Sequence, residues 1–251
     1  MSEAPPRRLA FRVEYDGTAF HGWARQPGQR TVQGTLEDTL GAFLKQPIRV
    51  DGASRTDAGV HARDQLAAIT LSHPIRAEGL QKGLNRRLPD DVAIGCPYPV
   101  PDDFEPRFGN AGKTYCYRFR RAVGRSPLLD RYAWRLPWDV DVHRITAASE
   151  HLLGTHDFAS FAAADGSHQS TVRTLWRLSL TAEDHGVWAL RISGTAFMKY
   201  MVRNLVGTLM EIGRGRWSPA DMGLILAACD RSAAGPTAPP HGLELERIWR
   251  T

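Results

Sequence analysis

Apolar and polar residues alternate through "LAFRVEY" (9–15), which predicts a strand. The period then lengthens. From Thr31, placed to cap a helix, Val32, Leu36, Leu40, Phe43 and Leu44 fall on one helical face. "IRVDG" (48–52) and "QLAAITL" (65–71) read as strands on either side of a Gly-bounded stretch. Leu80, Leu84 and Leu88 mark a second helix that stops before Pro89, and "DVAIGCPY" (91–98) returns as a strand. The order is β-α-β-β-α-β.

A connector rich in Pro, Gly and Asp follows (100–112), and the order then repeats. "KTYCYRFRR" (113–121) has a period of two that puts Tyr115, Tyr117 and Phe119 on one face. Val142, Ile145, Leu152 and Leu153 predict a helix. Two strands flank Asp184 and His185 as a hairpin, and 196–213 is the longest helical run. "SPADMGLILAAC" carries Ser218 as a cap with Pro219 in the first turn, and "LELERIW" (243–249) closes as a strand. The expected class is therefore α+β, built from two tandem ferredoxin-like, RRM-like halves at 1–103 and 104–251. Their strands are expected to join into a mixed, mainly antiparallel sheet with helices on one side and a cleft between the halves. No sequence repeat relates them.

Composition adds a class of partner. The 251 residues carry a formal charge of +5, with arginine pairs at 7–8 and 86–87 and the runs "RFRR" (118–121) and "GRGR" (213–216). The planar arginine fork suits phosphate, so nucleic acid is compatible, as is a merely well-solvated surface. No apolar run is long enough to span a bilayer and "MSEAPPRRLAF" has no signal-peptide core, so a cytoplasmic protein is expected. Cys96, Cys116 and Cys229 lie far apart and fit neither a disulfide framework nor a zinc knuckle; buried free thiols are expected.

Candidate chemistry concentrates in "GASRTDAGVHAR" (52–63), where Asp57 has Arg55 two residues before it and His61 four after. A carboxylate near an arginine stays ionised at neutral pH and is ready to act as nucleophile or base. A glycosidase would want a second carboxylate, for which only Asp51 and Asp64 are near in sequence. His151 and His156 are spaced poorly for a metal, and no phosphate-binding loop or GxSxG motif is present. Small Gly52, Ala53, Ala58 and Gly59 would let another backbone approach, such as that of a nucleotide. Three further features are open to two readings. "YDGTAFHGWARQ" (15–26) offers polar and aromatic groups to a ligand, or else a packed Trp23 and a turn at Asp16-Gly17. Tyr115 stacks a base or lies in the core. Arg203, in an otherwise apolar helical run, meets solvent or finds a carboxylate such as Asp57.

These segments, together with "TVQGTLE", "LNRRLPDDV", "FEPRFGNAGKTYCY", "GTHDFASF", "FMKYMVRNLVGTLMEIG" and "APPHGLEL", stand in the order of the TruA-type tRNA pseudouridine synthases, which the chain resembles over essentially its whole length. "RTDAGVHA" is the most specific of them. The resemblance implies isomerisation of uridine to pseudouridine at positions 38, 39 and 40 in the tRNA anticodon arm, by a homodimer, without metal or organic cofactor. It puts the catalytic aspartate on Asp57, the arginine that enters the space of the flipped nucleotide on Arg55, the stacking tyrosine on Tyr115 and the arginine paired with the aspartate on Arg203. Ser54, Ala24 and Glu244 depart from the family's usual Gly, Gln and Tyr. Rival readings are a non-catalytic RNA-binding protein, an N-glycoside hydrolase that releases free base, and a related synthase acting on another RNA. Neither half shows the RNP1 pattern, and the hydrolase would need an acid partner for Asp57.

Overall fold

The structure is a computed structural model and describes residues 5–163 and 169–250. It divides into two compact units, one made of the chain up to Ala111 together with the chain from Leu245 on, the other of Gly112–Glu244. The architecture is α+β, in two halves.

In the first unit β1 (Arg7–Tyr15) runs antiparallel to β3 (His61–Leu71) on one side and to β4 (Val92–Ile94) and β5 (Tyr98–Pro99) on the other. Helices α1 (Val32–Leu44) and α2 (Ala77–Asn85) bury Leu36, Leu40, Leu80 and Leu84. Thr31 caps α1 as expected, its hydroxyl accepting from the Gly34 N–H (3.2 Å). The strand expected at 48–52 shrinks to β2 (Asp51–Gly52), paired with Ala68 and Ala67 of β3. The reason lies in α1. Val50 donates its N–H to Glu37 Oε1 (3.1 Å) and accepts from Gln33 Nε2 (2.9 Å), so its main chain is satisfied by helix side chains. Conversely β3 starts at His61, four residues before the alternation suggests. The end of the last strand is tied into this unit, since the Ile248 N–H donates to Asp64 Oδ2 (3.0 Å) and its carbonyl accepts from Arg12 Nη2 (3.2 Å).

The second unit has β6 (Gly112–Arg121), β10 (Val187–Gly194), β9 (Val172–Ala182) and β8 (Gly154–Asp157) side by side and antiparallel, with β7 (Trp134–Leu136) parallel to the end of β6. β9 and β10 form the expected hairpin, where His185 and Gly186 both take positive φ (59° and 72°). Its helices are α3 (Val142–Glu150), α4 (Met201–Gly213) and α5 (Asp221–Ala228), and β11 (Leu243–Trp249) begins in this unit and ends in the first. From Asn204 to Gly213 every residue of α4 is buried.

Several expectations are corrected here. The run 196–213 is helical only from Met201, because Tyr200 sits in the left-handed region (φ 62°) and breaks the ladder. Ser218 does not cap α5: the helix starts at Asp221 with Ala220 in the cap position, and the Ser218 N–H donates to Asp221 Oδ2 (2.7 Å). Leu152 and Leu153 lie past the end of α3, the first buried and the second exposed. Of the three cysteines only Cys116 is buried; Cys96 and Cys229 are exposed. Among the described residues no helix is long and apolar enough to cross a membrane.

Candidate active site

The loop between β2 and β3 carries Arg55 and Asp57, and its main chain is pinned at almost every step. Gln65, fully buried on β3, accepts the Ser54 N–H at Oε1 (3.1 Å) and donates from Nε2 to the Ser54 carbonyl (2.6 Å). Two residues on, the Tyr15 hydroxyl and Thr56 Oγ1 share a hydrogen bond (2.8 Å), and the Thr56 carbonyl accepts from the Trp23 N–H (3.1 Å). Asp57 then opens a β-turn: the Val60 N–H donates to the Asp57 carbonyl (3.2 Å), with Gly59 third in the turn at φ +77°. Only a residue without Cβ is at ease there.

The 15–26 segment is the other wall of this cradle. A Cβ on Gly17 would lie 2.0 Å from the Val60 carbonyl oxygen, and one on Gly22, itself at φ +90°, 2.6 Å from that of Thr56. Backbone thus lies on backbone. Of the two readings the sequence leaves open for this segment, packing describes Trp23, which is buried with its ring where a Cβ on Gly52 would be (2.5 Å). Gly52 therefore makes room for an indole, and Gly59 serves the turn. Asp16 makes the expected turn, its Oδ1 accepting from the Thr18 N–H (3.0 Å). His61 is buried and its Nδ1 accepts from the Gly17 N–H (3.0 Å). Asp16 Oδ1 also lies 3.1 Å from that nitrogen, a contact that becomes an ion pair only when the ring is protonated. His61 is a brace of the cradle.

The carboxylates nearest in sequence are committed elsewhere. Asp51 pairs with Arg8 (2.7 Å) and Arg49 (3.2 Å), and Asp64 with Arg12 (3.2 Å). Neither is disposed as the protonated partner a glycosidase needs. Arg55 is exposed and, among the described residues, forms no ion pair. Arg55, two residues before Asp57, is therefore not its ion-pair partner. His156 Nε2 is 2.7 Å from the Leu153 carbonyl, and among the described residues no group of three His, Cys, Asp or Glu is placed to hold a metal ion.

Tyr115 and Arg203 belong to the second unit. Tyr115 is buried and meets Phe197 edge to face, ring centres 5.1 Å apart. Its neighbour on the same face, Tyr117, donates its hydroxyl to the Pro239 carbonyl (2.9 Å), and burial pushes that hydroxyl far above its ordinary pKa even against the positive charge of Arg203. Arg203 Nε donates to the Ala238 carbonyl (2.7 Å), the Ala238 N–H returns to the Arg203 carbonyl (3.0 Å), and the guanidinium lies over the Tyr200 ring (4.9 Å). So the five residues before α4 that fail to be helical bring Phe197 to Tyr115 and Tyr200 to Arg203.

Sequence reasoning missed the supports. Asn204, fully buried, donates to the Phe161 carbonyl (2.9 Å) and accepts at Oδ1 from Thr237 (2.6 Å) and Arg231 (3.2 Å), fixing the segment that anchors Arg203. Gln65 and Tyr15 do the same for Asp57. The signal for the Asp57 cradle was the pair Gly17 and Gly22; a buried amide such as Gln65 leaves none in the pattern. Glu244, one of the departures noted in the sequence, is matched by Arg118, whose Nη1 donates to it (2.9 Å) while Nε donates to Glu183 (2.9 Å). Burial alone would raise the Glu183 carboxyl, but hydrogen bonds from Arg118 and Arg191 hold it below the usual range. A hollow of about 440 Å³ beside this network, lined by Leu128, Leu129, Tyr132, Ala133, Val187 and the charged Arg118, Glu183 and Asp184, holds none of the residues marked for chemistry.

Comparison with known proteins agrees with the motifs. A family model described as tRNA pseudouridine synthase matches residues 12–109 and 148–248. The tRNA pseudouridine synthase A of Thermotoga neapolitana is 39% identical over 243 residues, spanning 96% of this chain and 99% of that protein. Those of Myxococcus xanthus and Geotalea uraniireducens are 40% and 38% identical, spanning 96% and 97% of this chain and 91% and 99% of theirs. With both halves matched and the Asp57 turn inside the matched region, the chain belongs to the tRNA pseudouridine synthase family.

Proposed function

We propose that this protein isomerises uridine to pseudouridine at positions 38, 39 and 40 in the anticodon stem-loop of tRNA, acting in the cytoplasm as a homodimer and without a cofactor. The observation that carries the reading is the turn around Asp57, fixed on both sides while Asp51 and Asp64 are spent on arginines. The reaction breaks the bond between base nitrogen and sugar, turns the base and rejoins it through a ring carbon. No atom is lost, so one ionised carboxylate suffices. Asp57 attacks the anomeric carbon, or removes a sugar proton to give a glycal, or adds to the pyrimidine ring.

The target uridine must leave its stack, at a cost of about a few kcal/mol. Arg55, exposed and without an ion pair among the described residues, is suited to fill the vacated space. Tyr115 holds the flipped base, and Arg203 keeps the Asp57 carboxylate charged and oriented. The division of labour follows the proposed halves, 1–103 supplying the carboxylate and 104–251 the tyrosine and the arginine.

The test is pseudouridine mapping on unmodified tRNA transcripts incubated with wild-type protein and with Asp57→Ala, in the absence of metal. New marks in the anticodon arm with the wild type, and none with the variant, are expected. Marks in another RNA alone would move the substrate, release of free uracil would make the protein a hydrolase, and binding without modification by either protein would leave an RNA-binding module.

A further inference from the structure

The segment "YDGTAFHGW" has no task in the reaction as described, although its first residue reaches the loop that carries Asp57. Tyr15 closes β1 at a point where the pairing with β3 loses register: Val13 faces Gln65, but Tyr15 faces Ala62, so β3 holds an extra residue there. Bulges of this kind re-aim side chains beside functional sites. Here the Tyr15 ring is buried against Phe20 and Trp23 (centres 6.5 and 6.0 Å), and its hydroxyl meets Thr56 Oγ1 at 2.8 Å. Gln65, at the other end of the same irregularity, holds Ser54 by both main-chain groups. The two pins sit at 54 and 56. The side chain between them is Arg55, exposed, and the residue just after them is Asp57.

We propose that Tyr15, through its hydroxyl bond to Thr56, is a positioning residue that sets where the Asp57 carboxylate stands during isomerisation. The inference rests on the functional reading above. Packing of the Tyr15 ring needs no hydroxyl, since Phe20 and Trp23 would hold a phenylalanine equally well. Thr56 is buried, so its own hydroxyl, without Tyr15, has lost a built partner. The main chain at 56 can then drift by a fraction of an ångström, and a misplacement near 1 Å is enough to cost about a hundredfold in rate. Substrate binding, carried mainly by basic groups spread over the surface, does not depend on this bond.

The experiment compares wild type with Tyr15→Phe, Thr56→Val, Thr56→Ser and the double variant Tyr15→Phe/Thr56→Val, measuring kcat and KM for tRNA and the melting temperature of each. Tyr15→Phe and Thr56→Val should each lower kcat by about ten- to a hundredfold with KM within about twofold. The double variant should lose no more than either single one, because both remove the same bond. Thr56→Ser, which keeps the hydroxyl, should restore most of the rate. Losses that multiply in the double variant, a rise in KM with kcat unchanged, or Thr56→Ser as slow as Thr56→Val would each overturn the proposal. A wild type that makes no pseudouridine would instead remove the functional reading beneath it.

Discussion

The two halves hold their candidate site residues by different means. In the first, a short side chain, Asp57, can be placed only by placing its backbone, and the chain does this by laying main chain on main chain: Gly17 on Val60, Gly22 on Thr56. In the second, the long side chain of Arg203 springs from a buried helix and is aimed at its far end, by the Ala238 carbonyl and the Tyr200 ring, with Asn204 fixing the segment that supplies the carbonyl. A carboxylate on a loop needs close approach and glycine; a guanidinium on a helix needs acceptors. The two sites should therefore break in different ways.

The greatest effect is expected in the first half. Gly17→Val would put atoms within 2.0 Å of the Val60 oxygen, and since that atom is backbone, something large must move. A loss of stability above about 3 kcal/mol is expected, together with the loss of turnover, read from chemical unfolding and from pseudouridine formation. A Gly17→Val protein as active as the wild type would show that the cradle does not place Asp57.

The second half should be damaged by removing bonds instead. Asn204→Leu keeps the branched shape but leaves the Phe161 carbonyl, the Thr237 hydroxyl and Arg231 short of a buried partner. Its expected cost is about 2–3 kcal/mol, with turnover falling more than tRNA affinity as Arg203 loses its anchor. Equal stability of variant and wild type in urea would mean that the anchor is held by packing alone.

The smallest effect concerns charge. Glu183, held below the ordinary carboxyl range by Arg118 and Arg191, gives stability that is present above its unfolded pKa of about 4.3 and lost as pH falls through its lower folded value. Asp130, where burial is outweighed by the Ser126 N–H and by Arg120 and Arg135, behaves alike. Melting temperature should thus fall as the pH is taken below about 4, and Glu183→Gln should flatten part of that fall. An unchanged slope would show the network to be indifferent to this charge.

Much of this was legible in the chain. Alternation and helical spacing determine the α+β order, the Thr31 cap, the hairpin at Asp184-His185 and the final strand, because each depends on residues close in sequence. "RTDAGVHA", with the motifs around it, determines the family. What failed to show in the pattern was set by contacts distant along the chain. The strand at 48–52 is short because Gln33 and Glu37 of α1 take the Val50 main chain. In the 15–26 segment Tyr15, Phe20 and Trp23 are buried while His21, Arg25 and Gln26 stay exposed, because Val60 and Thr56 lie against its glycines. The bond between Tyr15 and Thr56 spans 41 positions, and the clamp from Gln65 needs β3 to lose register beside it. Local preference fixes which elements form; only the tertiary structure, by bringing distant backbone within hydrogen-bond reach, decides where the one carboxylate stands.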